Sequence, residues 1–221
     1  MKAEASRHRP FTPLLLILIL AVALNPVLFA LPGGSRAFDL VMLGVLGSAG
    51  YAVSGSRRDL VLLLVLGIPA ALSRIRVMWA GEPDLDPWSL ALLLVFLVYV
   101  AVRIFREVFR RGPVTTHTVR GGLCLYLLIG LIWALGFAIL ESLSPGAFHH
   151  EDLVDEEAVF QVFVYYSLVT LSTLGYGDVM PILPLARSLA AIEAIVGQLY
   201  IAVFVATLVA RLLTREDSEQ S

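Results

Sequence analysis

Long apolar runs alternate with short polar breaks along this chain. The runs lack Asp, Glu, Lys and Arg over most of their length, and each could cross a hydrocarbon core of about 30 Å as a helix. This pattern predicts an all-α membrane protein with six transmembrane helices. The predicted spans lie at about 13–31, 38–53, 60–79, 88–105, 119–141 and 185–213, and Pro69 is expected to kink the third.

Composition agrees with a membrane protein. Of the 221 residues, 58% are hydrophobic and 15% are charged, whereas about 25% of the residues of a soluble domain are charged. The first apolar run follows a basic segment, so a cleavable signal peptide is an alternative for residues 1–31. The length of that run and the turn at 32–34 favour a retained helix. Cys124 is the single cysteine, so no intrachain disulfide can form.

Basic residues divide unequally between the two sets of predicted loops. Cytoplasmic loops of membrane proteins carry the excess of Lys and Arg, which predicts that the N-terminus and the C-terminus are both cytoplasmic. Arginine outnumbers lysine fifteen to one, a bias associated with GC-rich bacterial genomes, so the predicted location is a bacterial plasma (inner) membrane. The 12 basic residues on the predicted cytoplasmic side are Lys2, Arg7, Arg9, Arg57, Arg58, Arg103, Arg106, Arg110, Arg111, Arg120, Arg211 and Arg215, and the 4 on the outer side are Arg36, Arg74, Arg76 and Arg187.

A shorter apolar segment follows the fifth predicted span. Residues 158–172, AVFQVFVYYSLVTLS, are too few to span the bilayer comfortably, and a Pro-, Gly-, His- and acid-rich loop at 144–157 precedes them. We expect a buried or re-entrant helix that starts near Glu156, with Asp155 as its N-cap. The helix is expected to end where TLGYGD, residues 173–178, begins.

The TLGYGD loop has the composition of a cation site built from backbone oxygens. Irregular backbone at membrane depth is tolerated only where protein buries it or where it lines a water-filled path. Gly175 and Gly177 reach backbone conformations that other residues avoid, so the carbonyls on both sides of Tyr176 could point the same way. A row of carbonyls can replace the hydration shell of a cation, and Thr173 could add its hydroxyl oxygen. Tyr176 is expected to brace the loop against neighbouring aromatic rings.

Residues 170–178, TLSTLGYGD, resemble the selectivity-filter signature of potassium channels, T-x-x-T-x-G-Y-G-D. Leu174 stands where Val or Ile is usual, a mild departure because this position contributes a carbonyl. The resemblance covers about 119–213, under half of the chain. It implies a homotetrameric pore with a re-entrant pore helix and a selectivity-filter loop between the fifth and sixth spans. It further implies K⁺ binding at Thr173, Leu174, Gly175 and Tyr176, a filter completed by Gly177, and support of the filter by Tyr165, Tyr166 and Asp178.

The same resemblance assigns roles to the last predicted span. Pro181 and Arg187 match the family pattern, and Gly197 falls at the glycine often called the gating hinge. Glu193 would lie behind the filter and off the pore axis, bonded to the short helix or a neighbouring span, with a structural or gating role and no ion ligation. The residues expected to line the inner pore, spaced by three and four on one helical face, are Gln198, Ile201, Val205 and Val209.

The chain is predicted to divide into two domains. Residues 1–112 would form four transmembrane helices placed as in a voltage-sensor domain, and 113–221 would form the pore domain with its outer helix, pore helix, filter, inner helix and short tail. Residues 88–102 carry no charge, whereas a voltage sensor needs several charges within the field. The basic cluster that follows is therefore interpreted as a set of cytoplasmic anchors, formed by Arg103, Arg106, Arg110 and Arg111.

The sequence leaves two alternatives for the side chains of two arginines near the predicted outer end of the third span. Arg74 and Arg76 are expected to snorkel outward, or to pair with Glu82 or Asp39.

The predicted function is passive, potassium-selective conduction by a channel subunit whose partners are further copies of itself and the lipid bilayer, with no nucleic acid. The sequence contains no nucleotide-binding loop, helix-borne metal pair or nucleophile elbow, so we expect neither an enzyme nor a cofactor, and only permeant K⁺. A weakly selective cation channel is an alternative, and a secondary transporter is another, although no inverted repeat of broken helices is visible.

The sequence does not distinguish between gating by voltage, by lipid, by pH or by a partner, and a constitutively open pore. His149 and His150, beside Glu151 and Asp152, leave open a metal site, an external proton sensor and a solvated loop.

Overall fold

The computed structural model describes residues 11–29, 31, 34–80, 86–110, 112, 114–149 and 159–219. Within these ranges the chain forms seven helices and two very short strands. In chain order they are α1 (Thr12–Phe29), α2 (Gly34–Val53), α3 (Arg57–Ala80), α4 (Pro87–Val108), α5 (Thr116–Leu143), β1 (Phe148–His149), α6 (Val159–Leu171), β2 (Met180–Pro181) and α7 (Pro184–Glu219).

Each predicted span coincides with a helix, and local capping signals set where α4 and α5 begin. The Asp86 side chain accepts a hydrogen bond from the backbone N–H of Ser89 at 3.0 Å, and Pro87 occupies the first helical position, where its missing N–H is not needed. In front of α5, Thr115 and Thr118 form a capping box, in which each hydroxyl accepts from the other residue's backbone N–H.

Four of the described helices are long and apolar enough to cross a bilayer. The described parts of α1 and α6 are shorter apolar helices, and α3 carries charged residues near both ends. Length and composition therefore support a multi-pass, mostly helical membrane protein, and the count of six spans stays a prediction. The four qualifying segments are Arg36–Val53, Pro87–Val108, Thr116–Leu143 and Pro184–Leu213.

One hydrophobic cluster joins helices from both predicted domains. α4 lies along α5, and α5 in turn packs against α6 and α7. Where α5 meets α7, a Cβ added to Gly122 would lie 2.0 Å from the ring of Phe204, so the absence of a side chain lets the two helices approach. About two helical turns further along α7, the Arg211 guanidinium donates to the Val108 carbonyl of α4 at 3.1 Å. The boundary predicted at 112 thus separates two halves that share a core.

The first three helices surround the start of α6. From α1, Asn25 Nδ2 donates to the Gln161 carbonyl at 3.1 Å in a buried contact. From α2, Phe38 packs edge-on against Phe160, with ring centroids 5.9 Å apart. From α3, the Arg74 guanidinium lies 5.6 Å from the centroid of the same Phe160 ring. The expected N-cap of α6 at Asp155 lies outside the described residues.

The two outer arginines of α3 differ in their surroundings. Arg74 is buried, with 1% of its surface exposed, and forms an ion pair with Asp39 of α2. It therefore adopts the pairing alternative and does not snorkel outward. The side chain of Arg76 is 57% exposed and pairs with Asp86 at 3.3 Å. Glu82 lies outside the described residues.

The charged end of α4 is held by Asp59 of α3. Arg103 donates to Asp59 Oδ2 at 2.7 Å, and the Tyr99 hydroxyl donates to Asp59 Oδ1 at 3.1 Å. Arg106, one helical turn further on, is exposed. This pairing at the end of the helix agrees with the interpretation of Arg103 as an anchor.

Candidate functional site

The TLGYGD loop leaves the end of α6 with a regular alternation in backbone conformation. α6 ends at Leu171, and φ is positive at Thr173 (61°), Gly175 (57°) and Gly177 (80°). The two residues between them, Leu174 and Tyr176, are not among the positive-φ residues. Residues with positive φ thus alternate along 173–177 with residues outside that region, a pattern that allows successive carbonyls to face one side of the chain.

Thr173 is the only non-glycine residue with positive φ among those that the structure describes. A β-branched residue adopts this conformation at a cost, so its surroundings must hold it there. Its N–H donates to the Thr170 carbonyl at 2.9 Å, and its hydroxyl donates to the Ser172 carbonyl at 2.7 Å. Gln198 of α7 donates from Nε2 to the Thr173 hydroxyl oxygen at 3.1 Å. The loop is therefore fixed at its Thr173 end by α7 as well as by α6.

The side chains at the centre of the loop are exposed in the single chain. Leu174 is 59% exposed and Tyr176 is 68% exposed. No aromatic ring in the described part of the chain contacts Tyr176. The predicted bracing of Tyr176 by aromatic rings is therefore not met within one subunit and would need a neighbouring one.

The outer end of the loop is bonded to α6 through Asp178. The Tyr165 hydroxyl donates to Asp178 Oδ2 at 2.5 Å, and the N–H of Val179 donates to Asp178 Oδ1 at 3.0 Å. Tyr166, the next residue of α6, is buried on another side of the helix and packs against Phe137 and Phe148. The two adjacent tyrosines thus differ in what they contact, and only Tyr165 is bonded to the loop.

The backbone beyond the loop pairs with the segment that follows α5. β1 and β2 are antiparallel, with Phe148 opposite Pro181 and His149 opposite Met180. The Arg187 guanidinium of α7 donates to the Pro181 carbonyl at 3.1 Å. His150 lies outside the described residues, and no group of three His, Cys, Asp or Glu residues among those described could hold a metal ion.

Glu193 of α7 lies behind α6, where it is fully buried. Its Oε1 atom is hydrogen-bonded to the hydroxyl of Ser167 of α6. That hydroxyl also contacts the Gly130 carbonyl of α5 at 2.6 Å. Glu193 was predicted to lie near the short helix, but Ser167 and Gly130, which lie far from Glu193 along the chain, were not predicted to take part.

α7 is much less buried than the other long helices. In an 18-residue apolar window of the Pro184–Leu213 segment, 11% of the residues are buried, whereas 50% are buried in the corresponding window of Thr116–Leu143. Gly197 is one of the few buried residues of α7, with Ala186, Glu193 and Phe204, and it contacts the end of α6. The predicted pore-lining residues all lie on the exposed part of the helix, namely Gln198, Ile201, Val205 and Val209.

Comparisons with known proteins point to the same segment. Residues 123–214 match the model of a family described as ion channel. The chain is also similar to the inward rectifier potassium channel Kirbac3.1 of Paramagnetospirillum magnetotacticum, with 34% identity over 91 residues, which make up 39% of this chain and 27% of that relative. The chain therefore aligns with little more than a quarter of that relative's length. No solved structure matches the chain.

The matched residues include α6, the TLGYGD loop and nearly all of the apolar part of α7. They therefore include the segment whose sequence resembles a selectivity filter and whose backbone alternates in handedness. Both matches are to ion channels and neither is to an enzyme. Residues 123–214 are therefore an ion-channel segment that is similar in sequence to a potassium channel.

Proposed function

We propose that the chain is one subunit of a homotetrameric, potassium-selective channel in a bacterial plasma membrane. In this proposal the chain spans the membrane six times, α6 and the TLGYGD loop enter and leave from the outer side, and both termini are cytoplasmic. The relative's name specifies a potassium channel, and the proposal extends that function to this chain.

The observation that carries the proposal is the alternation of φ along 173–177. A backbone that directs successive carbonyls to one side offers a column of oxygens, which can replace the water around a dehydrated cation. Thr173, Leu174, Gly175 and Tyr176 would supply the ligand oxygens, and Gly177 would complete the loop. The carbonyl end of α6, at Leu171, would add partial negative charge beneath this column.

The exposure of α7 supports the tetramer. An apolar helix of which few residues are buried leaves a large surface for lipid, for other subunits or for an aqueous path. One chain contains one TLGYGD loop, whereas a ring of carbonyls around an ion needs several. Four copies around one axis would place Leu174 and Tyr176 next to neighbouring subunits and would direct the face with Ile201 and Val205 toward the pore.

Reconstituted protein tests this function directly. In planar bilayers with unequal K⁺ and Na⁺ on the two sides, the reversal potential should follow the K⁺ gradient, and cross-linking in detergent should give a tetramer. Equal permeability to K⁺ and Na⁺ would replace the proposal with a weakly selective cation channel. Saturable exchange of a solute without conductance would replace it with a secondary transporter.

A further inference from the structure

Three helices meet at a chain of buried oxygen atoms behind the TLGYGD loop. Gly130 of α5 contributes a backbone carbonyl, Ser167 of α6 a hydroxyl and Glu193 of α7 a carboxyl group. Ser167 and Glu193 are each 0% exposed. The second carboxyl oxygen, Glu193 Oε2, is also buried and has no hydrogen-bond partner.

The number of protons available decides how these oxygens are bonded. A serine hydroxyl carries one hydrogen, and a backbone carbonyl can only accept. Ser167 contacts two oxygens, Gly130 O at 2.6 Å and Glu193 Oε1. If Glu193 were ionised, both neighbours would be acceptors, and one of the two close contacts would join two oxygens with no hydrogen between them.

A protonated Glu193 removes this conflict. Its carboxyl hydrogen would be donated to Ser167 Oγ, and the Ser167 hydrogen would be donated to Gly130 O. Both short contacts would then be hydrogen bonds. Oε2 would become the carbonyl oxygen of a neutral acid. Burying a neutral carbonyl oxygen without a hydrogen-bond donor costs far less free energy than burying a carboxylate oxygen without one.

Among the residues that the structure describes, no positive charge lies beside Glu193 to stabilise an ionised form. None of the ion pairs between described residues includes Glu193. The ionisable side chains within electrostatic range of it are Tyr126 of α5 and Tyr166 of α6, and neither can become a cation. A buried carboxylate without a cationic partner or a full set of donors is strongly disfavoured.

We infer that Glu193 is a neutral carboxylic acid that donates a hydrogen bond to Ser167, and that this proton joins α7 to α6 and α5 as a latch behind the filter. The latch lies between α7 and the helix that ends at the TLGYGD loop. Loss of the proton would leave the Glu193 carboxylate and the Gly130 carbonyl competing for the single hydrogen of Ser167, and would bury an uncompensated charge between α7 and α6. The structure thus assigns Glu193 as a positioning residue. We expect conduction to fall at the alkaline pH at which Glu193 loses its proton.

Infrared spectroscopy tests the protonation state of Glu193 in the full chain in lipid. A protonated carboxyl has a C=O stretching band that a carboxylate lacks, and the difference between wild type and Glu193→Gln isolates the contribution of Glu193. We expect this band at neutral pH, and we expect it to shift in Ser167→Ala because the hydrogen bond is lost. A wild-type carboxylate band in its place would overturn the inference.

Flux measurements test the latch. Glutamine at 193 can still donate to Ser167 and cannot ionise, whereas methionine has a similar length and cannot donate. We expect K⁺ flux in liposomes to be retained in Glu193→Gln and reduced about fivefold or more in Glu193→Met, the effect of losing about one buried hydrogen bond. Equal loss in both variants would overturn the latch.

The pH dependence separates the latch from a purely structural role. Wild-type flux should fall over the same alkaline range in which the infrared band disappears, and the flux through Glu193→Gln should stay constant there. Wild-type flux that does not follow the band would overturn the dependence on the proton. The flux readout rests on the channel function proposed above, but the infrared readout does not, so the failure of one proposal is distinguishable from that of the other.

Discussion

A Cβ atom built on Gly197 of α7 would lie 2.0 Å from the carbonyl oxygen of Leu171 at the end of α6. No side chain can move aside to relieve this contact, because the obstructing atom belongs to the backbone that leads into the TLGYGD loop. Gly197 was predicted to be a hinge from its position in the family pattern. The structure adds a steric reason for glycine there, namely the close approach of α7 to α6.

We predict that Gly197→Ala disrupts the loop and abolishes K⁺ flux in liposomes. α7 must shift outward to make room for the methyl group, and the hydrogen bond from Gln198 to Thr173 would be broken. The matched control is Gly136→Ala in α5, where no atom lies within 4 Å of an added Cβ. Wild-type flux through Gly197→Ala would show that the contact does not position the loop.

We predict that Gly177→Ala abolishes K⁺ flux while the tetramer still assembles. The added Cβ at 177 meets no atom within 4 Å, so the penalty comes from the backbone, which has φ of 80° there. Tyr176→Phe should be much milder, because it keeps the ring and loses only a hydroxyl, worth about 1 kcal/mol. Flux and oligomer size are measured in parallel. Normal flux through assembled Gly177→Ala tetramers would mean that ions do not pass along this backbone.

We predict that a charged thiol reagent blocks K⁺ flux through Val205→Cys. Val205 is 51% exposed on the face of α7 that we direct toward the pore, whereas the native Cys124 is fully buried and should give no background reaction. The unsubstituted chain, treated in the same way, is the control. Complete labelling of Val205→Cys without any change in flux would place this face outside the ion path.

We predict that neutralising Arg103 and Arg106 together leaves the steepness of any conductance–voltage curve nearly unchanged. Each charge that crosses the field contributes about 2.3 kcal/mol per 100 mV. Arg103 is paired with Asp59 at one end of α4, so neither arginine is expected to cross the field. A large loss of steepness, recorded in planar bilayers, would instead identify α4 as a voltage sensor.

We predict that Arg74→Gln is strongly destabilising, by about 3–5 kcal/mol, because it removes the positive charge of a buried ion pair with Asp39. Arg76→Gln is the matched control. Its pair with Asp86 is exposed, so the change should cost about 1 kcal/mol or less. Unfolding in detergent measures both effects, and the double variant Arg74→Gln/Asp39→Asn should recover part of the loss. Equal stability of the two single variants would show that the buried pair contributes nothing to the fold.

Sequence patterns predicted the helices well because each helix has a long apolar run with local start and stop signals. The start of α4 at Asp86 and Pro87, which was placed one residue late, follows a local rule that was available in the sequence. The positive φ of the two glycines in the TLGYGD loop could also be predicted from the residue type alone. These features depend on residues that are close together in the chain.

The parts that sequence analysis missed depend on contacts between distant residues. The positive φ of Thr173 is stabilised by Gln198, and the bonding of Glu193 requires Ser167 and Gly130. Neither arrangement follows from composition, periodicity or a motif. Both follow only when the crossing points of α5, α6 and α7 are known.

The contacts of α1, α2 and α3 with the start of α6 have a consequence for the evolution of this chain. Phe160 and Gln161 are buried under residues from those three helices, including Asn25, Phe38 and Arg74. A gene shortened to α5–α7 would expose these two side chains to lipid and would remove the buried bond to Asn25. Inheriting or transplanting the pore half of this chain alone would therefore remove these contacts, and we expect substitutions at residues 160 and 161 to be coupled to substitutions in the N-terminal helices.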